Sequence, residues 1–298
     1  MTLGIISVLI CAILHASSNI IDAHLTNNIF KKIPTILFYC GITNVLVLPF
    51  LFFFGSPVFP SWSIMHFVVL AGIIEIAYLV PYYLALRSTD TSIVCAFFSL
   101  GKIIVPFMAY VLVKEQLHTS QYVGFAIIII SSIVLSIDDP KKIKINKGFY
   151  LMLLSSFILA SQSVFFKAAM EELDWVSCLF YSMLISTIVV AMVWFWKPYR
   201  SDLISGFKVY IKNAKIFLLN ESVFQLGNIA IVFSISVLPV VVVDGISSTQ
   251  PIFALLLGFI LYKFFGDKFK EDVSTEGIIK KMICFIFIII GVVLTVGI

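Results

Sequence analysis

Three ionisable residues, Glu75, Lys102 and Glu221, lie near the middle of long apolar runs. A carboxylate there can bind an ammonium group or relay a proton, and an ammonium group can bind a carboxylate. A charged side chain that faces the centre of a lipid bilayer costs at least about 2.5–3.5 kcal/mol on insertion. We therefore expect all three residues to face a hydrated or paired interior.

Other polar side chains recur three, four or seven residues apart in the same apolar runs, a spacing that places them on one face of a helix. Tyrosine rings in such a stripe can attract an ammonium group through their faces, and amides can hydrogen-bond either charge. The predicted solute-binding residues are Glu75, Lys102, Glu221, Tyr78, Tyr82, His15, Asn19, Gln225, Asn228 and Asp244.

These stripes also admit structural roles. Glu75 and Lys102 lie on consecutive segments at similar depth, so an ion pair that fixes helix packing is one interpretation. Glu221 has no opposite charge at its own depth in the sequence, which makes it the first candidate for proton coupling, with Glu75 the second. His15 could serve as an interhelical hydrogen-bonding group, and the tyrosines could simply pack.

The composition indicates which kind of structure holds these residues. Of the 298 residues, 61% are hydrophobic and 12% are charged, and the mean hydropathy is +1.10. Soluble domains contain about 45–50% apolar and about 25% charged residues, so this excess exceeds what one globular core buries. Apolar segments of about 20 residues cross a bilayer as helices, which satisfy their own backbone hydrogen bonds. Ten such segments are predicted, at 3–21, 34–54, 64–87, 90–113, 120–137, 148–169, 175–196, 214–236, 239–262 and 278–297.

The order of the segments indicates an internal repeat. The run "STDTSIVCAFFSLGKIIVPFMAYVLVKEQL" (88–117) aligns with "VLPVVVVDGISSTQPIFALLLGFILYKFFGDKF" (237–269). Five segments per half is an odd number, so the second half would cross the membrane in the opposite orientation, as in many secondary transporters. The predicted fold is an all-α polytopic membrane protein of ten transmembrane helices in two inverted five-helix repeats. The repeats span 1–137 and 148–298, with a charged linker at 138–147.

The sequence predicts no enzyme, metal site or cofactor. Its five cysteines lie in apolar runs without a CxxC spacing, and its four histidines are scattered. The residue patterns of common hydrolases and of nucleotide-binding loops are missing from the sequence, and a nucleic-acid partner is not expected. The fifth and tenth segments carry no strong GxxxG face, so a monomer is the default.

The chain resembles the EamA-type members of the drug/metabolite transporter superfamily. The run "ALRSTDTSIVCAFFSLGKIIVPFMAYVLVKEQL" is similar to the family's passage from an "AL" helix end, through a serine-rich helix, to a "GERL"-like turn, here "KEQL". The chain departs from the family at Gly101–Lys102, where Ser–Pro is common, and at Leu14–His15–Ala16, where Trp–Gly is frequent. These departures fall on the expected cavity.

The resemblance implies secondary transport through a central cavity lined by helices 1, 3, 4, 6, 8 and 9. Both charge signs at the midplane favour a small charged or zwitterionic metabolite, amino-acid-like or cofactor-like, moved by alternating access. The alternatives are an exporter of lipophilic or quaternary-ammonium cations and a non-transporting membrane receptor or assembly protein. The expected partners are a small-molecule solute, the lipid bilayer, and a proton or counter-solute.

The basic residues are distributed unevenly between the two sides of the membrane. Of the 20, all except Lys102, Lys114 and Lys167 lie in or beside the loops that follow segments 1, 3, 5, 7 and 9. The positive-inside rule then places both termini outside the cytoplasm, whereas the resemblance implies cytoplasmic termini. The sequence leaves this conflict open for a multi-pass protein expected in a prokaryotic plasma membrane.

Overall fold

The computed structural model describes residues 2–114, 118–135, 147–265 and 275–296, and regular structure in these ranges is helical. The predicted all-α class is confirmed. The first helices are α1 (Thr2–His24), α2 (Ile33–Thr43), α3 (Leu48–Leu51), α4 (Met65–Ala77), α5 (Leu79–Leu86), α6 (Thr91–Gly101), α7 (Ile104–Val113) and α8 (Thr119–Leu135). The remaining helices are α9 (Lys147–Ala169), α10 (Trp175–Met192), α11 (Lys197–Lys212), α12 (Ala214–Val237), α13 (Val240–Ser247), α14 (Gln250–Phe265) and α15 (Thr275–Val296).

Eight helical stretches in the described ranges are long and apolar enough to cross a membrane. The chain is thus an integral, multi-pass helical membrane protein. Helices α8 and α15, which fall on the fifth and tenth predicted segments, pack against each other. The predicted total of ten spans stays a prediction. The spanning stretches are Thr2–Ile29, Ile33–Leu51, Met65–Leu86, Thr91–Val113, Lys147–Ala169, Trp175–Phe195, Ala214–Val237 and Val240–Ile260.

In three of these stretches, proline explains where the helix is interrupted. Helices α4, α6 and α13 end at Ala77, Gly101 and Ser247, and prolines follow at 81, 106 and 251. Proline has no backbone N–H to donate to the residue four positions earlier, and its ring crowds that carbonyl. Each helix therefore breaks about one turn before its proline. The break after α6 coincides with Lys102, one of the predicted site residues.

Helix packing brings the two halves of the chain together. Helix α1 packs on α12 and α14, and α9 packs on α4, α5, α6 and α7. Helix α10 contacts α4, and α14 contacts α6. Side chains from α1, α4, α6, α9, α12 and α13 therefore converge in the middle of the molecule.

The connection between α10 and α12 differs from the sequence expectation. The charged stretch between the seventh and eighth predicted segments, expected as a loop, forms the helix α11. This helix packs on α2 and touches α12. Most of the predicted linker, 138–146, lies outside the described residues, and Lys147 already begins α9.

Candidate functional site

A cavity of about 100 Å³ lies at the centre of the helix assembly. It is enclosed by α1, α6, α9, α12 and α13, with Glu75 and Tyr78 contributed by the region where α4 ends. Aromatic rings of Phe98 and Phe224 form part of its wall. Seven of the ten predicted site residues line it: His15, Asn19, Glu75, Tyr78, Lys102, Asn228 and Asp244.

Glu75 is held by two amide groups. The Gln162 side-chain nitrogen donates to Glu75 Oε2 at 2.6 Å, and the Asn228 nitrogen donates to Oε1 at 3.0 Å. Gln162 also donates to the Ala71 carbonyl at 2.9 Å, which fixes the amide against α4. Glu75 is 7% exposed, and its carboxyl group is positioned by neutral donors from α9 and α12.

Lys102 is engaged elsewhere. Its ammonium group donates to the Asp244 backbone carbonyl at 2.7 Å, to Ser247 Oγ at 2.6 Å and to Ser248 Oγ at 3.1 Å. An ammonium group has three donors, so these three acceptors occupy them all. The Glu75–Lys102 ion pair that the sequence suggested is therefore not formed. Side-chain amides bind Glu75 instead, and the end of α13 binds Lys102.

Gln225 lies behind the cavity wall rather than on it. Its nitrogen donates to Asn44 Oδ1 at 2.6 Å, and its oxygen accepts from Asn228 at 3.2 Å. Asn228 in turn donates to Glu75. Gln225 thus orients Asn228 and belongs to a chain of amides that runs from Asn44 to the cavity carboxyl group.

Glu221 faces a second, smaller chamber of about 20 Å³. Glu75 and Phe224 line both spaces, so the chamber adjoins the central cavity. Asp22 and the Cys40 thiol also line the chamber beside Glu221. Among the described residues that line this chamber, three are acidic and none is basic. We call it the acidic chamber.

Tyr82 is placed between the two spaces without lining either. Its hydroxyl lies 2.8 Å from Asn19 Oδ1 and 3.0 Å from Asp22 Oδ2. A phenol has one proton to donate, so these two acceptors compete for it. Asp22 also accepts from the Asn220 amide at 2.8 Å, and the Asn19 nitrogen donates to Cys95 Sγ at 3.0 Å.

His15 forms one edge of the central cavity. Its ring stacks on Phe224 with centroids 5.2 Å apart and an interplanar angle of 25°. Cys11 Sγ lies 3.4 Å from Nδ1. A Cβ atom at Gly227 would come within 2.6 Å of Nε2, so the glycine makes room for the ring.

Several polar residues of the site were not predicted from the sequence. Asn220 directly precedes the predicted residue Glu221, so a wider polar stripe on that helix would have included it. Gln162 is an amide within the apolar run 148–169 and could have been recognised in the same way. Asp22, which lies just after the first predicted segment, was not among the predicted site residues. Cys40 and Asn44, four residues apart on the second span, were a helical polar pair that could have been recognised.

The chemistry that this arrangement allows is binding and proton exchange. Carboxyl groups, amides and aromatic rings converge on an enclosed space, and these groups can hold a small solute that carries an ammonium group. The fold and the site together define a polytopic helical membrane protein with a polar interior cavity.

The comparisons with known proteins agree with this class. Residues 2–137 match the EamA-like transporter family. No curated protein matches the chain significantly. Among 28 similar chains of solved structures, one crystal structure has a TM-score of 0.63 at 13% sequence identity, covering 98% of this chain and 94% of that chain. At this identity the likeness shows the fold alone.

The segment 2–137 belongs to the EamA-like transporter family, and the predicted relationship to EamA-type members of the drug/metabolite transporter superfamily is confirmed. The first part of the chain therefore matches a family of membrane transporters. Members of the family are transporters rather than enzymes and bind small solutes within the bilayer.

Proposed function

We propose that this protein is a secondary transporter that moves a small ammonium-bearing or zwitterionic metabolite by alternating access. The observation that carries the proposal is the position of Glu75, whose carboxyl group lines both the central cavity and the acidic chamber. A solute in the central cavity would meet this carboxyl group, the Asn228 amide and the Tyr78 ring. An ammonium group is the part of a metabolite that these groups recognise best.

The charge balance favours solutes with a positive group. Lys102 lines the cavity, but its three donors go to the protein. The acidic chamber adds Glu221 and Asp22 beside Glu75. Three carboxyl groups near one space attract a cation or a proton more strongly than an anion. This balance also favours a second candidate function, the export of quaternary-ammonium or lipophilic cations.

Alternating access would rest on two inverted five-helix repeats, 1–137 and 148–298. Helix packing supports this relation, because several contacts between the halves recur when the halves are exchanged. The packing of α1 on α12 has its counterpart in α9 on α4, and α14 on α1 has its counterpart in α7 on α9. The contact of α6 with α8 corresponds to that of α13 with α15. With α8 and α15 counted as spans, the halves hold five each.

Coupling to protons would use Glu221 and Glu75. Intramembrane carboxyl groups commonly serve as proton relays in transporters. Glu221 has a thiol as its neighbour, and Asp22 and Glu75 lie around the same chamber. A proton that enters the acidic chamber would relieve repulsion among these groups. Release of that proton would restore the negative charge that attracts the solute.

Uptake into proteoliposomes tests the proposal. Wild type and Glu221→Gln are reconstituted and presented with amino acids, amine-bearing cofactors and quaternary-ammonium compounds, with and without a pH gradient. We expect wild type to move at least one ammonium-bearing solute and Glu221→Gln to lose the stimulation by the gradient. Glu172→Gln is the matched control, because Glu172 lies outside both cavities and binds Ser61 and Ser63 at the surface.

The outcomes separate the alternatives. Transport of quaternary-ammonium compounds without that of amino acids would select the export of cations. If no solute moves and Glu221→Gln matches wild type in solute binding, a receptor or assembly role replaces transport.

A further inference from the structure

Helix α11 is a surface helix that shows only one face to the rest of the protein. Leu203 and Gly206 are buried on that face, and the Tyr39 hydroxyl donates to the Leu203 carbonyl at 2.8 Å. A Lys32–Asp202 ion pair ties its first half to the start of α2. These contacts fix the rotation of α11 about its own axis and therefore determine which side chains point away from the protein.

The outward face carries an apolar stripe. Ile204, Phe207 and Ile211 are 56%, 54% and 55% exposed. Their spacing of three and four residues places them on one line along the helix. Large apolar side chains in such a line are unfavourable in water and favourable in the acyl region of a bilayer.

Cationic side chains run beside this stripe. Lys208 and Lys212 follow Ile204 by one and two helical turns, and Lys197 precedes it by about two turns, so all three lie on adjoining lines. Arg200 lies on the apolar line itself, one turn before Ile204. All four cations are exposed. Apart from Arg200, the cations lie along one edge of the outward surface of α11 and the apolar side chains along the other, a pattern typical of helices that lie in a membrane surface.

Aromatic residues around the start of α11 also indicate that this helix lies at the membrane surface. Phe195 and Trp196, at the end of the span Trp175–Phe195 and directly after it, are 83% and 65% exposed, and Tyr199 follows in the first turn of α11. The Arg200 guanidinium lies 5.4 Å above the Trp194 ring. Tryptophan and tyrosine concentrate at the level of lipid headgroups, where an apolar ring meets a polar layer.

We propose that α11 lies in the membrane surface and binds anionic phospholipids, with Ile204, Phe207 and Ile211 in the acyl region and the cations on the headgroup phosphates. Charge complementarity selects the occupant, since four cations on one exposed helix face match a layer of negative headgroups. This site lies outside the solute cavity, so its test does not depend on the identity of the transported solute.

Spin labels measure the depth of the helix. The five native cysteines are buried, so a label directed to an added cysteine at Ile204, Phe207, Ile211, Ser201 or Ser205 reacts mainly at the new site. In bilayers that contain phosphatidylglycerol, labels on the apolar stripe are expected to collide with oxygen more than with a water-soluble nickel chelate. The label at Ser205, on the polar side of the stripe, is expected to show the reverse. Equal access of the chelate to all five positions would overturn the proposal.

The lipid preference is tested by thermal unfolding of the full-length protein. Added phosphatidylglycerol is expected to raise the midpoint of wild type more than phosphatidylcholine does. The variant Lys197→Gln, Arg200→Gln, Lys208→Gln, Lys212→Gln is expected to lose that difference. Inorganic phosphate is the control for a free anion and is expected to leave the midpoint unchanged. The variant Lys31→Gln, which removes an exposed charge outside α11, is expected to keep the wild-type gain.

Two outcomes contradict the proposal. An equal gain from phosphatidylglycerol in wild type and the four-site variant would mean that these cations do not bind the lipid. Cross-linking between two copies through Phe207→Cys in bilayers would assign the apolar stripe to a protein interface instead.

Discussion

A buried ammonium group is stable only when its donors are occupied, and Lys102 shows how the chain achieves this. Its three partners come from the end of α13, where the break before Pro251 leaves the Asp244 carbonyl available together with two serine hydroxyls. Lys102 itself lies at the break between α6 and α7. One side chain therefore joins the interrupted helices of both halves.

Replacement of Lys102 by Met is predicted to lower stability more than it lowers solute affinity. The variant removes three hydrogen bonds from buried acceptors, and the expected loss is about 1–3 kcal/mol in the free energy of unfolding. The thermal midpoint in detergent measures the first quantity and equilibrium solute binding the second. Lys31→Met, which changes an exposed lysine, is the control and is expected to behave as wild type. A large loss of affinity with an unchanged midpoint would assign Lys102 to the solute.

The sequence predicted which residues face inward better than it predicted their partners. The cost of charge in lipid required Glu75, Lys102 and Glu221 to be buried, and they are. The partners of Glu75 are Gln162 and Asn228, which lie 87 and 153 residues further along the chain. Periodicity in one helix carries no information about such distant contacts, so Lys102, the opposite charge at a similar predicted depth, was the natural but wrong partner.

At the scale of the helices, the closest approach in the site occurs where α6 meets α9. A Cβ atom on Gly101 would overlap the Ser156 carbonyl group and lie 2.6 Å from the Phe157 nitrogen. Both obstacles are backbone atoms of α9, which cannot rotate away as a side chain can. Glycine at 101 therefore sets the distance between the two helices and with it the position of Lys102.

Gly101→Ala is predicted to destabilise the protein by about 1–3 kcal/mol or more, because overpacking against backbone forces the helices apart. Thermal unfolding in detergent measures the effect. Gly55→Ala is the matched control, since its Cβ would lie 3.5 Å from Val176 in ordinary van der Waals contact. Equal midpoints for the two variants would show that α6 and α9 separate without cost.

Lys114 ends α7 with a left-handed backbone, at φ 57° and ψ 22°. Glycine reaches this conformation without the steric cost that a Cβ adds. Lys114→Gly is predicted to raise the free energy of unfolding by about 0.5–1 kcal/mol, whereas Lys114→Ala should not. Denaturation midpoints of the two variants provide the check. A gain for alanine equal to that for glycine would trace the effect to the lost charge.

The spans were predictable as elements because apolar length alone identifies them. The breaks at Ala77, Gly101 and Ser247 were less visible, since proline is tolerated in many membrane helices and only packing decides where the chain interrupts. Helix α11 was missed for a different reason. Its stripe of Ile204, Phe207 and Ile211 is interleaved with cations, so its charge indicated a loop while its period indicated a helix.

At the scale of the whole molecule, the halves meet around the cavity through reciprocal contacts. Helix α1 of the first half packs on α12 and α14 of the second, while α9 of the second packs on α4 and α6 of the first. Any rocking motion that opens one side would have to exchange the contacts of Lys102 with α13 and of Glu75 with α9 and α12. These bonds are therefore the natural points at which solute binding could bias one state over another.

The orientation of this assembly in the membrane is the last property that the charges predict. The Lys32–Asp202 contact places α11 on the side of the loop after the first span, where Lys31 and Lys32 lie. The positive-inside rule makes this side cytoplasmic, and the anionic cytoplasmic leaflet would then face the cations of α11. A reporter fused after Ile298 is predicted to be active as a phosphatase outside the cytoplasm and dark as a fluorescent protein. An insertion of the same reporters in the linker 138–147 is predicted to give the opposite pair of signals. Fluorescence from the fusion at 298 together with phosphatase activity from the linker would place both termini in the cytoplasm, and α11 would then lie on the outer leaflet.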